Sequence, residues 1–204
     1  RIRIDSTTLE AHISYPNDVG VIHQAVKTLT RTAASLGTKI TSHVRATKRA
    51  LFSWSQTAKV NPKERKAKGR KILKKVAKLA QHTVEEGRNA FQALSGSASD
   101  QSVKLKQRFF EQIELAQTIL NQTEQKLQGN KSIPQRIVSF HDPQARPIRK
   151  GKLNKAVEFG RTLQLLQDSS GVILHYEVHR GNPSDRTELL SVVRQTKRSL
   201  GIKP

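Results

Sequence analysis

Asp5 lies at the end of the apolar-alternating run that opens the chain, RIRIDSTTLEAHISYPND. A carboxylate carried on a strand is a hard oxygen donor of the kind that divalent ions need for phosphodiester chemistry. That chemistry needs several such donors, and the other carboxylates of the strand-forming half are Glu158, Glu177, Asp185 and Glu188. Glu10 reads as a polar-face residue of the first extended segment, and Asp18 as the N-cap of a helix. On residue type and position alone, Asp5 is a solvated or turn-forming aspartate at a strand end. His175 and His179, in HYEVH, would meet on a helix, but a strand holds them roughly 13 Å apart, so no zinc site is expected there. The chain has no cysteine, which excludes disulfides and thiolate zinc sites. It also lacks the Gly-x-x-x-x-Gly-Lys phosphate-binding loop of nucleotide hydrolases.

The second group of reactive residues is cationic. The 204 residues hold 37 Lys and Arg against 16 Asp and Glu, a net charge of +21. A field of that sign favours polyanions. Between Lys39 and Lys78 there are 14 Lys and Arg and one acid, Glu64, so this stretch repels itself unless a polyanion is near. Lys63, Arg65, Lys66, Lys68, Arg70, Lys71, Lys74 and Lys75 are the expected contacts to the DNA backbone. Arg146, Arg149, Lys150, Lys152 and Lys155, in a basic loop, are the second choice. Such contacts position a duplex without reading its sequence. Phe52 and Trp54 are expected to pack in the core, with support of contacts to the DNA backbone as the lesser alternative. No apolar run is long enough to span a bilayer, and the first residues lack the order of a signal peptide. A cytoplasmic, nucleoid-associated prokaryotic protein is the expectation. Binding to an anionic membrane is the weaker alternative, because the apolar stripes are sized for mutual packing. Methionine is absent and the chain opens at Arg1, so it is expected to be an excerpt of a longer one.

These residues need elements to hold them. Residues 1–14 read as one extended segment, ended by Pro16. From Asp18 the period becomes helical, with Val21, Ile22, Ala25, Val26, Leu29, Ala33 and Leu36 on one face and Gly37 as the stop. A second helix is expected from about Lys39 to Ala58. A third starts at Asn61-Pro62 and continues through Ile72, Leu73, Val76, Leu79 and Val84. A fourth spans about Asp100 to Gln128, with Val103, Phe109, Phe110, Ile113 and Leu120 inward. Beyond Gly129 strands return: RIVSF (136–140), then 156–167 and 171–179 joined by an Asp168-Ser169-Ser170-Gly171 turn. A last helix covers about 184–200, with Leu189, Leu190, Val193 and Leu200 inward. The expected fold is α+β, a sheet built from 1–14 and 131–204 interrupted by an all-helical insertion at 15–130.

DSTTLEAHISYPND, followed by a helix containing LTRTAASLG, resembles the start of the catalytic domain of DDE transposases from bacterial insertion sequences. The later block RIVSFHDPQARPIRKGKLNKAVEFGRTLQLLQDSSGVILHYEVHRGNPSD is similar to the same group, in the same order. Together the blocks cover about a third of the chain. The resemblance implies a partial ribonuclease H-like sheet, with strands near 1–14, 156–167 and 171–179 forming an antiparallel unit that carries the first catalytic and metal-binding aspartate, Asp5. It implies magnesium or manganese in the intact enzyme, and double-stranded DNA, as transposon ends and target, as the partner. A second copy of the chain is a further candidate partner. The intact enzyme would cleave DNA strands and transfer the freed 3′-hydroxyl to target DNA by in-line displacement. The second aspartate and the glutamate of the triad have no counterpart in these residues, so this chain alone is expected to bind DNA without turnover. The rival expectation is a non-enzymatic, basic helical nucleic-acid-binding protein.

Overall fold

The computed structural model describes residues 3–13, 15–94, 100–149, 157–179, 185–199 and 201. The chain divides into two compact units, a helical one over 15–136 and a sheet-bearing one made of 1–14 and 137–204.

The helical unit packs α1 (Asp18–Ser35), α2 (Val44–Gln56), α3 (Pro62–Ala93) and α4 (Asp100–Leu127) around a common core, with a short 3-10 turn at Thr57–Lys59 after α2. Val19, Ile22, Val26 and Leu29 of α1 are buried with Leu73, Val76, Ala80 and Val84 of α3 and Phe109, Ile113, Ala116 and Ile119 of α4. Those spacings of three and four put each set on one helix face, which is why burial selects the bundle. The N-cap of α1 is Asn17 rather than Asp18. Its side-chain oxygen accepts the Gly20 N–H at 2.7 Å, leaving Asp18 in the first turn. Asn61 caps α3 by accepting the Glu64 N–H at 3.0 Å, with Pro62 in the first turn where its missing N–H costs nothing. Gly69 is buried against Trp54: a Cβ there would stand 3.1 Å from the indole ring. α2 begins at Val44, later than Lys39, because 38–43 runs as a loop whose Thr41 hydroxyl donates to Glu86 at 2.8 Å.

The sheet unit is antiparallel. Its long strand β3 (Glu158–Gln167) pairs along one edge with β1 (Arg3–Glu10) and along the other with β4 (Ile173–His179) and the short β2 (Arg146–Ile148). The register sets Asp5 opposite Leu165, and Leu165 opposite Tyr176. Gly160 sits where the β1 backbone comes closest; a Cβ there would be 2.0 Å from the Leu9 carbonyl oxygen. The hairpin from β3 to β4 turns as expected: the Asp168 carboxylate accepts the N–H groups of Ser170 and Val172, and Gly171 takes a φ of +87°. Helix α5 (Asp185–Ser199) follows and meets β4 and β1.

Several expectations give way here. RIVSF forms no strand; Val138 and Phe140 are buried in an irregular turn in which the Ser139 hydroxyl accepts the Asp142 N–H. A strand appears instead at Arg146–Ile148, inside the two-proline loop, and Pro147 is tolerated because it lies on a sheet edge. Phe52 of α2 and Val103 and Phe110 of α4 face solvent rather than the core. On α5, Val192 is the buried residue and Leu190 is exposed, while the side chain of Leu189, and Leu200, fall outside the described residues.

Candidate nucleic-acid interface

The helical unit carries the larger excess of positive charge, since residues 15–136 hold 23 Lys and Arg against 8 Asp and Glu. Within it, α3 carries the densest set. Its first two turns, 62–68, are exposed throughout, because the buried stripe begins only at Gly69. From there Gly69, Leu73, Val76, Ala80 and Val84 turn inward and fix the rotation of the helix. Lys63, Lys66, Arg70, Lys74 and Lys78 then follow at three- and four-residue steps along one side, and Lys68, Lys71 and Lys75 along the other. Arg65 lies in the exposed opening turns, and all of these side chains are solvent-exposed. Among the described residues, Lys68 is the one member of this set with a carboxylate partner, Glu64 at 3.0 Å. That ion pair, with a second hydrogen bond that the Asn61 amide donates to the Glu64 carboxylate at 3.1 Å, holds the carboxyl below its usual range.

Two grooves flank the helix. One, of about 710 Å³, runs between α3 and α4; Arg70, Lys74, Lys78 and Gln81 form one wall, and Gln117, Asn121, Glu124 and Gln128 the other. The second, of about 450 Å³, has Ser53, Gln56, Thr57 and Val60 on its α2 side and Lys68, Lys71, Ile72 and Lys75 on α3. Cationic walls facing amide and hydroxyl side chains, with Glu124 the one carboxylate among the residues named, suit phosphate and sugar oxygens, which take charge and hydrogen bonds without sequence preference. The amide wall on α4 was not legible as a site in the sequence. Gln117, Asn121, Glu124 and Gln128 recur every three or four residues, but that signal is shared by any solvated helix face.

The base of this arrangement is fastened by one buried carboxylate. Asp18 is mostly buried and accepts from both Lys126, at the end of α4, and Arg136. Burial opposes its charge, but Arg136 and Lys126 hold the carboxyl below the ordinary aspartate range. Asp18 is thus a fastening of the bundle. Nearby, His23 is buried and its Nδ1 lies 2.8 Å from the Thr47 hydroxyl; burial, with Lys27 and Lys48 adding to it, pushes the imidazole pKa down.

In the sheet unit, Asp5 falls inside β1, third of its eight residues, rather than at its end. Its side chain is 65% exposed, accepts the Ser6 N–H at 2.9 Å and lies 4.0 Å from the Arg3 guanidinium. Its face of the sheet holds Thr7, Leu9, Leu163, Leu165 and Tyr176, none of them a carboxylate. Glu177 points to the opposite face with His175 and His179; there His179 Nε2 lies 3.1 Å from the Gln164 amide oxygen. Among the described residues, no three His, Asp or Glu side chains come together as metal ligands. A two-ion site needs several carboxylates around each pair of ions. Asp5, whose charged neighbours on that face are the cations Arg3 and Arg161, does not make that donor set by itself.

The second basic group divides. Arg146 is half-buried and donates to the carbonyls of Pro143 and Ala145 at 2.6 and 2.9 Å, so its guanidinium braces the loop; burial pushes its pKa down. Arg161 joins the same brace through Asp142 at 2.8 Å. Arg149 is exposed, whereas Lys150, Lys152 and Lys155 lie outside the described residues. No helix among the described residues is long and apolar enough to cross a membrane. No family model, curated protein or solved structure matches the chain.

Proposed function

We propose that this chain binds double-stranded DNA through its helical unit, and that its sheet unit contributes the first carboxylate, Asp5, of a DDE transposase. The single observation that carries the DNA reading is the α3 array, in which exposed cations run at three- and four-residue steps along a helix with one acid in its first 23 residues. Closely spaced cations with few acidic partners raise the energy of the free protein, and a polyanion lowers it by replacing self-repulsion with attraction and releasing its own counterions.

For the sheet unit, the resemblance is supported by an antiparallel arrangement of β4, β3 and β1, in that order, with Asp5 exposed on β1. That is the three-stranded unit a ribonuclease H-like domain would use. The magnesium or manganese of such an enzyme would be held in the intact protein by further carboxylates. No catalytic step is assigned to Asp5 alone.

The test is duplex binding by the chain across a salt series, with and without magnesium, beside Asp5→Ala. Steep salt dependence, no strand cleavage and unchanged affinity in Asp5→Ala are the expected results. Absence of binding at low salt refutes the DNA reading. Cleavage by the chain that survives Asp5→Ala refutes the role given to Asp5.

A further inference from the structure

The solvent face of α2 combines an aromatic ring with cations in a way the α3 array does not. Phe52 is 67% exposed, although it is among the largest apolar side chains of the unit. Around it on the same helix face stand Arg45, Lys48 and Arg49, seven, four and three residues before it, and Gln56, four residues after. All are exposed. Residues three and four apart on a helix are neighbours about 5–6 Å apart, so the ring is bordered by positive charge along the helix. α2 contains no Asp or Glu.

A single exposed phenylalanine is common on protein surfaces. Its surroundings are what select a partner here. A protein-docking face would continue the apolar surface, yet the neighbours of Phe52 on this face are Arg, Lys, Ser and Gln. Phe110, the other exposed phenylalanine of the unit, stacks on Phe91 with ring centroids 5.3 Å apart, whereas among the described residues no ring packs on Phe52. The face also continues into the basic groove, because Gln56 lines it together with Lys68, Lys71 and Lys75 of α3.

We propose that Phe52 stacks on an unpaired base while Arg45, Lys48 and Arg49 hold the phosphates on either side, so that α2 favours DNA in which a nucleotide is already out of the duplex stack. Base–aromatic stacking adds affinity to an electrostatic track without needing a particular base, which suits a planar hydrocarbon ring with no hydrogen-bonding group. The inference rests on the DNA-binding reading above and narrows it to a structure of DNA.

The experiment compares the whole chain on two labelled duplexes of equal length, one fully paired and one with a central two-nucleotide bulge, by fluorescence anisotropy. The wild type is expected to bind the bulged duplex about tenfold more tightly, toward the low end of what stacking on one base supplies. Phe52→Ala should erase that preference while keeping the wild-type affinity and salt slope on the paired duplex, and Phe52→Trp should retain it. Equal wild-type binding to both duplexes overturns the proposal and leaves general DNA binding standing. So does a Phe52→Ala variant that keeps the preference, or that loses affinity equally for both. If neither duplex binds at low salt, the DNA reading itself fails and this inference with it.

Discussion

Replacing Arg70, Lys74 and Lys78 together by alanine removes the cations from the α3 wall of the larger groove, three of the five along that side of the helix. Each Lys or Arg that neutralises a phosphate contributes about 0.9 to the slope of log affinity against log salt. Five contacts from Lys63, Lys66, Arg70, Lys74 and Lys78 give a wild-type slope of about −4.5, a loss of about 500-fold between 50 and 200 mM salt. With two contacts left, the slope falls to about −1.8 and the loss over the same range to about 12-fold. The three side chains are exposed and alanine is the best helix former, so stability should move by no more than about 0.5 kcal/mol per site. The control is Lys104→Ala, Arg108→Ala and Lys131→Ala combined, which removes the same charge from exposed positions outside the groove walls. Anisotropy titrations with one duplex at four salt concentrations read both slopes. If the two triple variants flatten the slope equally, net charge rather than the α3 row drives binding, and the assignment of that row is refuted.

Gly160→Ala would set a methyl carbon against the Leu9 carbonyl, so β1 must shift; we expect a cost of about 3 kcal/mol, near the top of the usual overpacking range, seen as lost hydrogen-exchange protection of the β1 amides. Protection of β1 equal to wild type would refute the close approach. Asp18→Asn strands Lys126 and Arg136 and should cost the helical unit about 2 kcal/mol, less than a fully buried pair because Lys126 keeps 39% of its side chain exposed. Because the Asp18 carboxyl titrates below its ordinary range, the stability it supplies is complete above the unfolded aspartate pKa of about 3.9 and is lost as pH falls below it. His23 acts at higher pH: its folded pKa is depressed, so the unfolded chain takes up the proton first, and stability should decline as pH drops below about 6.5. Thermal melts from pH 8 to 5 should show that decline in the wild type and a flatter curve in His23→Gln; parallel curves would exclude His23 as its source.

The bundle was legible because its helices are long and their apolar residues keep one period. Ile22, Val26 and Leu29, or Leu73, Val76 and Val84, need no tertiary information to be placed on one face. The hairpin was legible through Asp168 and Gly171, whose side-chain acceptor and left-handed backbone specify a turn. The strands were harder, since their alternation is confounded by position in the sheet. In β3 the buried residues are Glu158, Gly160, Thr162, Gln164 and Leu166, while Phe159, Leu163 and Leu165 lie on the less buried side. Polar Glu158, Thr162 and Gln164 take the buried face of β3, so hydrophobic-in and polar-out fails as a rule for it. β1 changes phase between Ile4 and Leu9, which put Asp5 at an apparent strand end when it lies within the strand. β2 is three residues long and contains a proline, too little sequence for any period to register.

The charge of the chain was plain from its composition, but its arrangement was not. KERKAKGRKILKK places cations in every direction around a helix, and a count of them gives no side that could meet a duplex. What orders them is the apolar minority of α3. Gly69 admits the Trp54 ring and Leu73, Val76 and Ala80 enter the core, which fixes the rotation of the whole helix. Once that is fixed, Arg70, Lys74 and Lys78 must share the α4 side and Lys68, Lys71 and Lys75 the α2 side. The same logic turns Phe52 outward: Thr47 and Ala50 occupy the buried side of α2 and Trp54 fills the space at Gly69, so the remaining aromatic of that helix faces solvent among Arg45, Lys48 and Arg49. The core therefore determines the interface, by deciding which charged and aromatic residues share a side.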